Sequence, residues 1–255
     1  MEFYFARLIY ILKKTFGTRI PPPELLFLTT GLEDSNHFVE TGKASIKDIE
    51  RILDLYGKKI EDFERVLDFG VGAGRIARSL GNIKELIGVD ILPENIEYLQ
   101  KNMKFGKYFL NFENPPLLFE DNYFDLIINH SVFTHINVAH QDAWLAELSR
   151  VLKPEGFALL SFHGDMPFDG YVKGLRHNNR SEVALIQERE YLEKGFVWVT
   201  DDIWSDTKFP DWYHTMFQSP QYVLNHWSRW FEILNWNKCG NLNYQDNVLL
   251  KKRIK

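Results

Sequence analysis

Asp68, Gly70, Gly72 and Gly74 occupy alternate positions in VLDFGVGAGR, Val66 to Arg75, where an apolar run ends in an acid and then in glycines. Glycine accepts positive φ and lets a ligand lie against the main chain, and a helix starting just after such a loop aims free N–H groups at that ligand. A second acid, Asp90, ends the apolar run KELIGVD. It stands about 20 residues beyond the first glycine, where a carboxylate grips the two hydroxyls of a ribose. The same Asp can cap a helix, because Pro93 fits a helix start at PENIEYLQKNM, and the two roles can coexist. His130, His135, His163 and His214 add groups that titrate near neutrality and can take a proton from a hydroxyl. A lone histidine is equally a structural hydrogen-bonder.

Glycine spacing separates two cofactor classes. A dinucleotide loop requires G-x-G-x-x-G, whereas the third glycine here comes one residue early and Arg75 stands where the helix-packing glycine belongs. An acid two positions before the first glycine, followed by G-x-G-x-G, resembles motif I of class I S-adenosylmethionine-dependent methyltransferases. NYFDLIINHSVFTHI, Asn122 to Ile136, and HQDAWLAELSRVLKPEGFALLSFHG, His140 to Gly164, extend the resemblance. Their order of strand, helix, RVLKP-x-G and strand is similar to the fourth and fifth strand region of that family. The resemblance runs from about Asp62 to Lys251 with one insertion. It implies S-adenosyl-L-methionine as cofactor, with Asp68 facing its ammonium group and Gly70, Gly72, Gly74 and Arg75 on the loop. It further implies Asp90 and Ile91 at the ribose, Asn111 and Phe112 at the adenine, and Asn129 and His130 along the methionine half.

Methyl transfer from a sulfonium is an in-line displacement, so the protein's main work is alignment and exclusion of water. A hydroxyl acceptor also gains from a base. His214, His135 and His163 are the candidates, the last two at the carboxyl edge of the sheet, where open α/β folds bind ligands. Asn114-Pro115-Pro116-Leu117 resembles the motif of amino-methylating enzymes, but it precedes the fourth strand and lacks the aromatic, so it reads as a proline-bent loop. Val71, where the family has a small or polar residue, is expected to point away from the cofactor. No cluster of oxygen ligands for magnesium is recognisable, and His135 and His140 are spaced off-face for a shared metal, so no metal is expected. Four readings stand: methylation of a hydroxyl on a small molecule or glycan, protein methylation, a non-catalytic binding module that keeps the fold, and a dehydrogenase. The first leads.

These groups need a scaffold. Strands are expected at Arg65 to Phe69, Glu85 to Ile91, Lys107 to Phe112, Phe124 to Asn129 and Phe157 to His163, separated by right-handed crossovers. The result is an α/β, doubly wound, seven-stranded, mostly parallel sheet closed by an antiparallel hairpin of Phe231 to Trp236 and Asp246 to Lys251. A helix of Ser45 to Tyr56 precedes it, with Ile46, Ile49, Ile52, Leu53 and Tyr56 on one side, and the proline run IPPPELL is expected to be non-helical. In the helix after His140, Trp144, Leu145, Leu148, Val151 and Leu152 share a face, and Lys153 to Gly156 breaks it. The expected organisation is 1–61 as a helical extension or cap, 62–164 as the cofactor core, 165–230 as an insertion on the substrate side, and 231–255 as the closing hairpin. The insertion is expected to be helical over RSEVALIQEREYLEKGF. Its aromatics, Trp198, Trp204, Trp212, Tyr213, Phe217, Tyr222, Trp227 and Trp230, read as core or as walls for a flat or sugar-like acceptor.

Composition narrows the partners. At 45% hydrophobic and 25% charged, 255 residues suffice for one enzyme-sized domain with additions. A formal charge of -5 and a pI near 5.9 offer no basic stripe for nucleic acid. Cys239, the only cysteine, excludes an internal disulfide and a cysteine-built zinc site, and a reducing, cytoplasmic setting is the expectation. FYFARLIYIL, Phe3 to Leu12, is too short to span a bilayer and lacks signal-peptide features. Docking on its own domain is the favoured reading, with a membrane surface or partner subunit as the alternative.

Overall fold

The computed structural model describes residues 20–80, 83–204 and 207–253; the apolar stretch Phe3 to Leu12 lies outside them. The chain divides into two compact units, with the boundary between Asn111 and Phe112.

In the first unit the proline run corrects the expectation placed on it, because α1, Pro23–Thr30, begins there. Pro22 is the N-cap and Pro23 opens the helix, positions whose N–H has no intrahelical partner, so the ring costs nothing. Helix α2 spans Ser35–Asp54 and starts well before the expected Ser45. Its N-cap Asp34 accepts from the backbone N–H of Asn36 and His37. The early turns escape a periodicity reading because they are polar and contain Gly42, a poor helix former. Phe38, Ile46, Ile49, Ile52 and Leu53 form the buried face, while Tyr56 lies beyond the helix and is exposed.

Strand β1, Arg65–Phe69, matches its expected limits; β2 is Glu85–Asp90, helix α3 is Pro93–Asn102, and β3 is Lys107–Leu110, shorter than expected. They pair in parallel in the order β3-β2-β1, with Asp68 opposite Gly88 and Gly88 opposite Tyr108. The α-helix expected after the glycine loop is not there: a single 3₁₀ turn, Ala77–Ser79, takes its place.

In the second unit β4, Phe124–Asn129, is followed by α4, Val138–Val151, and β5, Leu152–Phe162. The expected break at Lys153 to Gly156 is an irregularity inside β5, where Glu155 takes φ 65 and the register against β4 shifts between Phe124 and Leu126. Then come α5 (Asp165–His177), α6 (Ser181–Lys194), β6 (Phe196–Val199), β7 (Thr215–Gln218) and α7 (Pro220–Trp227). Helix α6 covers the sequence expected to be helical and stops at Gly195, φ 80. Phe168, Val172, Leu175, Ala184, Tyr191, Val197, Val199 and Phe217 make a core for α5, α6 and the antiparallel pair β6-β7. Part of the aromatic insertion is therefore packing.

The chain ends in β8, Phe231–Asn241, and β9, Gln245–Lys252. The second unit's strands run β4-β5-β9-β8, with β9 antiparallel to both neighbours. The seven-stranded, mostly parallel α/β sheet with an antiparallel close is thus present, and β6-β7 form a separate small sheet. No helix among the described residues is long and apolar enough to cross a membrane.

Candidate active site

The glycine loop belongs to the first unit and is held almost entirely by its own neighbours. The N–H groups of Gly70 and Val71 both donate to the Val89 carbonyl at 2.9 Å, and Gly74 N–H donates to the Val71 carbonyl at 3.0 Å. Gly72 N–H donates to Asp90 Oδ2 at 2.7 Å, and Ala73 N–H to the Thr29 hydroxyl of α1 at 3.0 Å. Gly70, Gly72 and Gly74 have φ 79, 53 and 82. A Cβ on Gly72 would meet Thr29 at 2.8 Å, and one on Gly74 would meet Leu99 at 2.6 Å. The glycines therefore serve tight packing inside the unit as well as the turn itself.

With its amides committed internally, this loop has little to give a phosphate. What it presents is negative. Asp68 is buried and its Oδ2 has no hydrogen-bond partner. Burial raises its pKa to about 7, with Arg75 opposing and Asp90 adding to the rise. An orphaned buried carboxylate oxygen fits a cationic group such as the ammonium of a methionine moiety. Arg75 is also buried; it donates to Ser45 Oγ of α2 at 3.1 Å, and burial lowers its pKa to about 10 against the pull of Asp68.

Asp90 ties the glycine loop to the start of α3. Its Oδ1 accepts from Leu92 N–H at 2.9 Å and Asn95 Nδ2 at 3.2 Å, fixing the start of α3, while Oδ2 holds Gly72. A carboxylate has about four lone-pair sites, and these bonds engage both of its oxygens. Burial raises its pKa, offset by the bonds from Leu92, Asn95, Gly72 and Ile91. Asn111 N–H donates to the Asp90 carbonyl at 2.8 Å. Val71 is buried beside Gly88 of β2, so it faces the sheet.

In the second unit, Phe112 is 65% exposed and Asn129 ends β4 buried. The turn of the terminal hairpin organises the residues beyond β4 and β5. Asn241 Nδ2 lies 2.6 Å from His130 Nε2 and donates to Gln245 Oε1 at 3.1 Å. Gln245 Oε1 also accepts from Ser161 Oγ at 2.8 Å and Ser131 Oγ at 3.1 Å, and its amide nitrogen lies 3.4 Å from His163 Nε2.

Three of the candidate bases gather here. The rings of His135 and His163 are edge-on at 6.0 Å. His135 also stacks on Tyr213 at 4.7 Å and meets the edge of Trp204 at 5.1 Å. Burial lowers the pKa of His163 to about 4, with the Met216 backbone opposing. Burial and then His163 hold His135 well below its ordinary range. Both rings are neutral at pH 7. His214 ties in through its main chain, whose N–H donates to the His135 carbonyl at 3.0 Å. Its Nδ1 lies 3.2 Å from Asp202 Oδ1. His140 goes elsewhere, stacking on Trp212 at 4.4 Å. Among the described residues no three His, Cys, Asp or Glu side chains converge as a metal site would require. Asp202, Asn241 and Gln245 were not legible as site residues, because Asp201-Asp202 reads as loop charge and Asn241 and Gln245 lie far along the chain from the histidines they meet.

A family model described as a methyltransferase domain matches residues 67–160. Among solved structures, the chain is similar to a protein from Pyrococcus horikoshii OT3, at 22% identity and TM-score 0.55 over 82% of this chain and 89% of that one. It is similar to 1,6-didemethyltoxoflavin-N1-methyltransferase of Burkholderia thailandensis, solved with 1,6-didemethyltoxoflavin and S-adenosylhomocysteine (14% identity, TM-score 0.54, 86% and 83% covered). It is similar also to magnesium protoporphyrin IX methyltransferase of Synechocystis PCC 6803 (11% identity, TM-score 0.56, 85% and 86% covered). At these identities the structural likeness speaks for the fold, and the family match speaks for the domain that spans Asp68, the glycine loop, Asp90 and β4 through β5. Residues 67–160 thus match a methyltransferase domain, and the solved structures share the fold that carries it.

Proposed function

We propose that the protein methylates a hydroxyl group on a small molecule or glycan, with His214 as the general base. The observation that carries this reading is the gathering of His135, His163 and His214 with Trp204 and Tyr213 in the second unit. Aromatic faces suit the C–H surface of a flat or sugar-like acceptor, and imidazole nitrogens suit its hydroxyls.

We assign the cofactor contacts as the family resemblance implies. Asp68 receives the ammonium group, the loop of Gly70, Gly72, Gly74 and Arg75 supplies the surface for the methionine half, and Asp90 with Ile91 receives the ribose hydroxyls. Asn111 and Phe112 serve the adenine, and Asn129 and His130 the methionine end. When bound, S-adenosylmethionine supplies an electrophilic methyl carbon on a sulfonium, and the carbon–sulfur electron pair returns to sulfur as transfer occurs. The acceptor oxygen forms the new bond while its proton passes to His214. His135 and His163, held neutral, orient the acceptor by hydrogen bonding and do not compete for the proton.

A nitrogen acceptor is the second reading, because one similar structure is named as an N1-methyltransferase. A neutral amine carries its own lone pair and needs less help from a base. Calorimetry with S-adenosylmethionine and NAD, followed by a panel of hydroxyl and amine acceptors read by S-adenosylhomocysteine release, tests the proposal. Heat with the first cofactor and turnover confined to hydroxyls are expected. Turnover of amines alone overturns the hydroxyl assignment.

A further inference from the structure

We infer that Asp202 is a positioning residue that fixes the tautomer of His214, so that Nδ1 carries the proton and Nε2 is left as the proton acceptor. The inference rests on the reading of His214 as base and adds to it a residue with no other assigned role. Asp202 and His214 form a buried pair, with side chains only 10% and 11% exposed and Nδ1 3.2 Å from Oδ1.

Asp202 is itself locked. Oδ1 also accepts from the Trp204 backbone N–H at 3.1 Å, and Oδ2 accepts from the Thr215 backbone N–H at 2.5 Å. Every one of these neighbours donates, so the carboxylate leaves His214 one way to complete the set, which is to donate from Nδ1–H. The ring is held from other sides as well. Its own backbone N–H is bonded to the His135 carbonyl, and Trp198 meets it edge-on at 5.5 Å. Proton, ring and main chain are thus each constrained, as a base that must meet an acceptor in one orientation requires.

An asparagine at this position cannot reproduce the arrangement. If its NH₂ replaces Oδ2, it confronts the Thr215 N–H. If it replaces Oδ1, it confronts the Trp204 N–H and asks Nδ1 to accept, which moves the ring proton to Nε2.

The test uses the full-length protein with ¹⁵N-labelled histidine and two-bond ¹H–¹⁵N correlation spectra, which distinguish the two tautomers; the His214 signals are identified by their loss in His214→Asn. The Nδ1–H form is expected in the wild type, and the Nε2–H form in Asp202→Asn. Asp202→Glu, which keeps the carboxylate, is expected to retain the Nδ1–H form. With a hydroxyl acceptor, Asp202→Asn is expected to lower kcat on the order of 10²-fold, with KM and S-adenosylmethionine affinity within about twofold and partial recovery in Asp202→Glu. An Nε2–H tautomer in the wild type overturns the inference. So does an Asp202→Asn spectrum in which the tautomer is unchanged, or a loss of kcat matched by an equal loss of cofactor affinity and melting temperature. A tautomer that switches as expected in a protein that turns over only amines supports Asp202 as the positioning residue and counts against the hydroxyl reading alone.

Discussion

Asp68 is a carboxylate kept at a cost in the free protein. Its folded pKa is raised to about 7 from an ordinary 3.8. A raised acid holds its proton in the folded state while the unfolded chain releases it, so stability is lost as pH rises from about 4 to about 7. Asp68→Asn is therefore expected to raise the melting temperature of the ligand-free protein at pH 8 by roughly 4 °C, corresponding to about 1–2 kcal/mol at this chain length. The same change is expected to weaken S-adenosylmethionine binding at least tenfold, because an amide cannot neutralise an ammonium group. Calorimetry at pH 8 checks the second effect and differential scanning the first; a variant that melts lower and binds normally contradicts the assignment. The acid was legible from its place before the glycines. Its orphaned oxygen was not, since nothing in VLDFGVGAGR tells that the loop's amides are spent on Val89, Asp90 and Thr29.

At the scale of elements, the glycine loop is shaped by what packs on it. A Cβ at Gly42 in α2 would collide with the Arg75 carbonyl oxygen. Gly42→Ala raises helix propensity yet forces backbone apart, and overpacking of this kind costs about 1–3 kcal/mol. A lower melting temperature and weaker cofactor binding are expected from a residue with no assigned contact to the cofactor; unchanged binding by calorimetry would show that the loop tolerates the shift. Strands were the most legible elements, because apolar runs such as ELIGVD and FDLIIN end at an acid or an Asn in both sequence and structure. Two helices were misread for local reasons. Prolines at Pro22 and Pro23 sit where a helix begins and does not need their N–H groups, and after Gly74 the chain turns as 3₁₀ at Ala77–Ser79. The terminal hairpin was seen, but not that Gln245 at its turn joins Ser131, Ser161 and Asn241. Gln245→Ala leaves the buried Ser161 hydroxyl without its acceptor, and a loss of about 1–3 kcal/mol in chemical denaturation is expected.

For the whole molecule, ligand and proton are linked. S-adenosylmethionine at a hundred times its Kd is expected to stabilise the fold by about 2.7 kcal/mol, which raises the melting temperature by roughly 5–10 °C. That gain should grow from pH 6 to pH 8, because only ionised Asp68 pairs with the ammonium, whereas in Asp68→Asn it should be flat. His135 and His163 carry the opposite sign from Asp68. Their folded pKa values are depressed, so the stability they lend is complete above about 6.5 and is lost as pH falls below it, for His163 toward about 4. Thermal melts across pH 4 to 8, with and without cofactor, resolve the two trends.

The grip of α1 and α2 on the glycine loop changes how the amino-terminal third should be regarded. Thr29 steadies Ala73, Ser45 receives Arg75, and Gly42 makes room for the chain to pass. With a 3₁₀ turn at Ala77–Ser79 following the glycines, these neighbours act as the splint. A shortened protein beginning at Asp62 would keep every residue of the donor-binding signature and still be expected to lose its hold on the donor. Trimming this gene to its recognisable motif would discard the part that keeps the motif in shape.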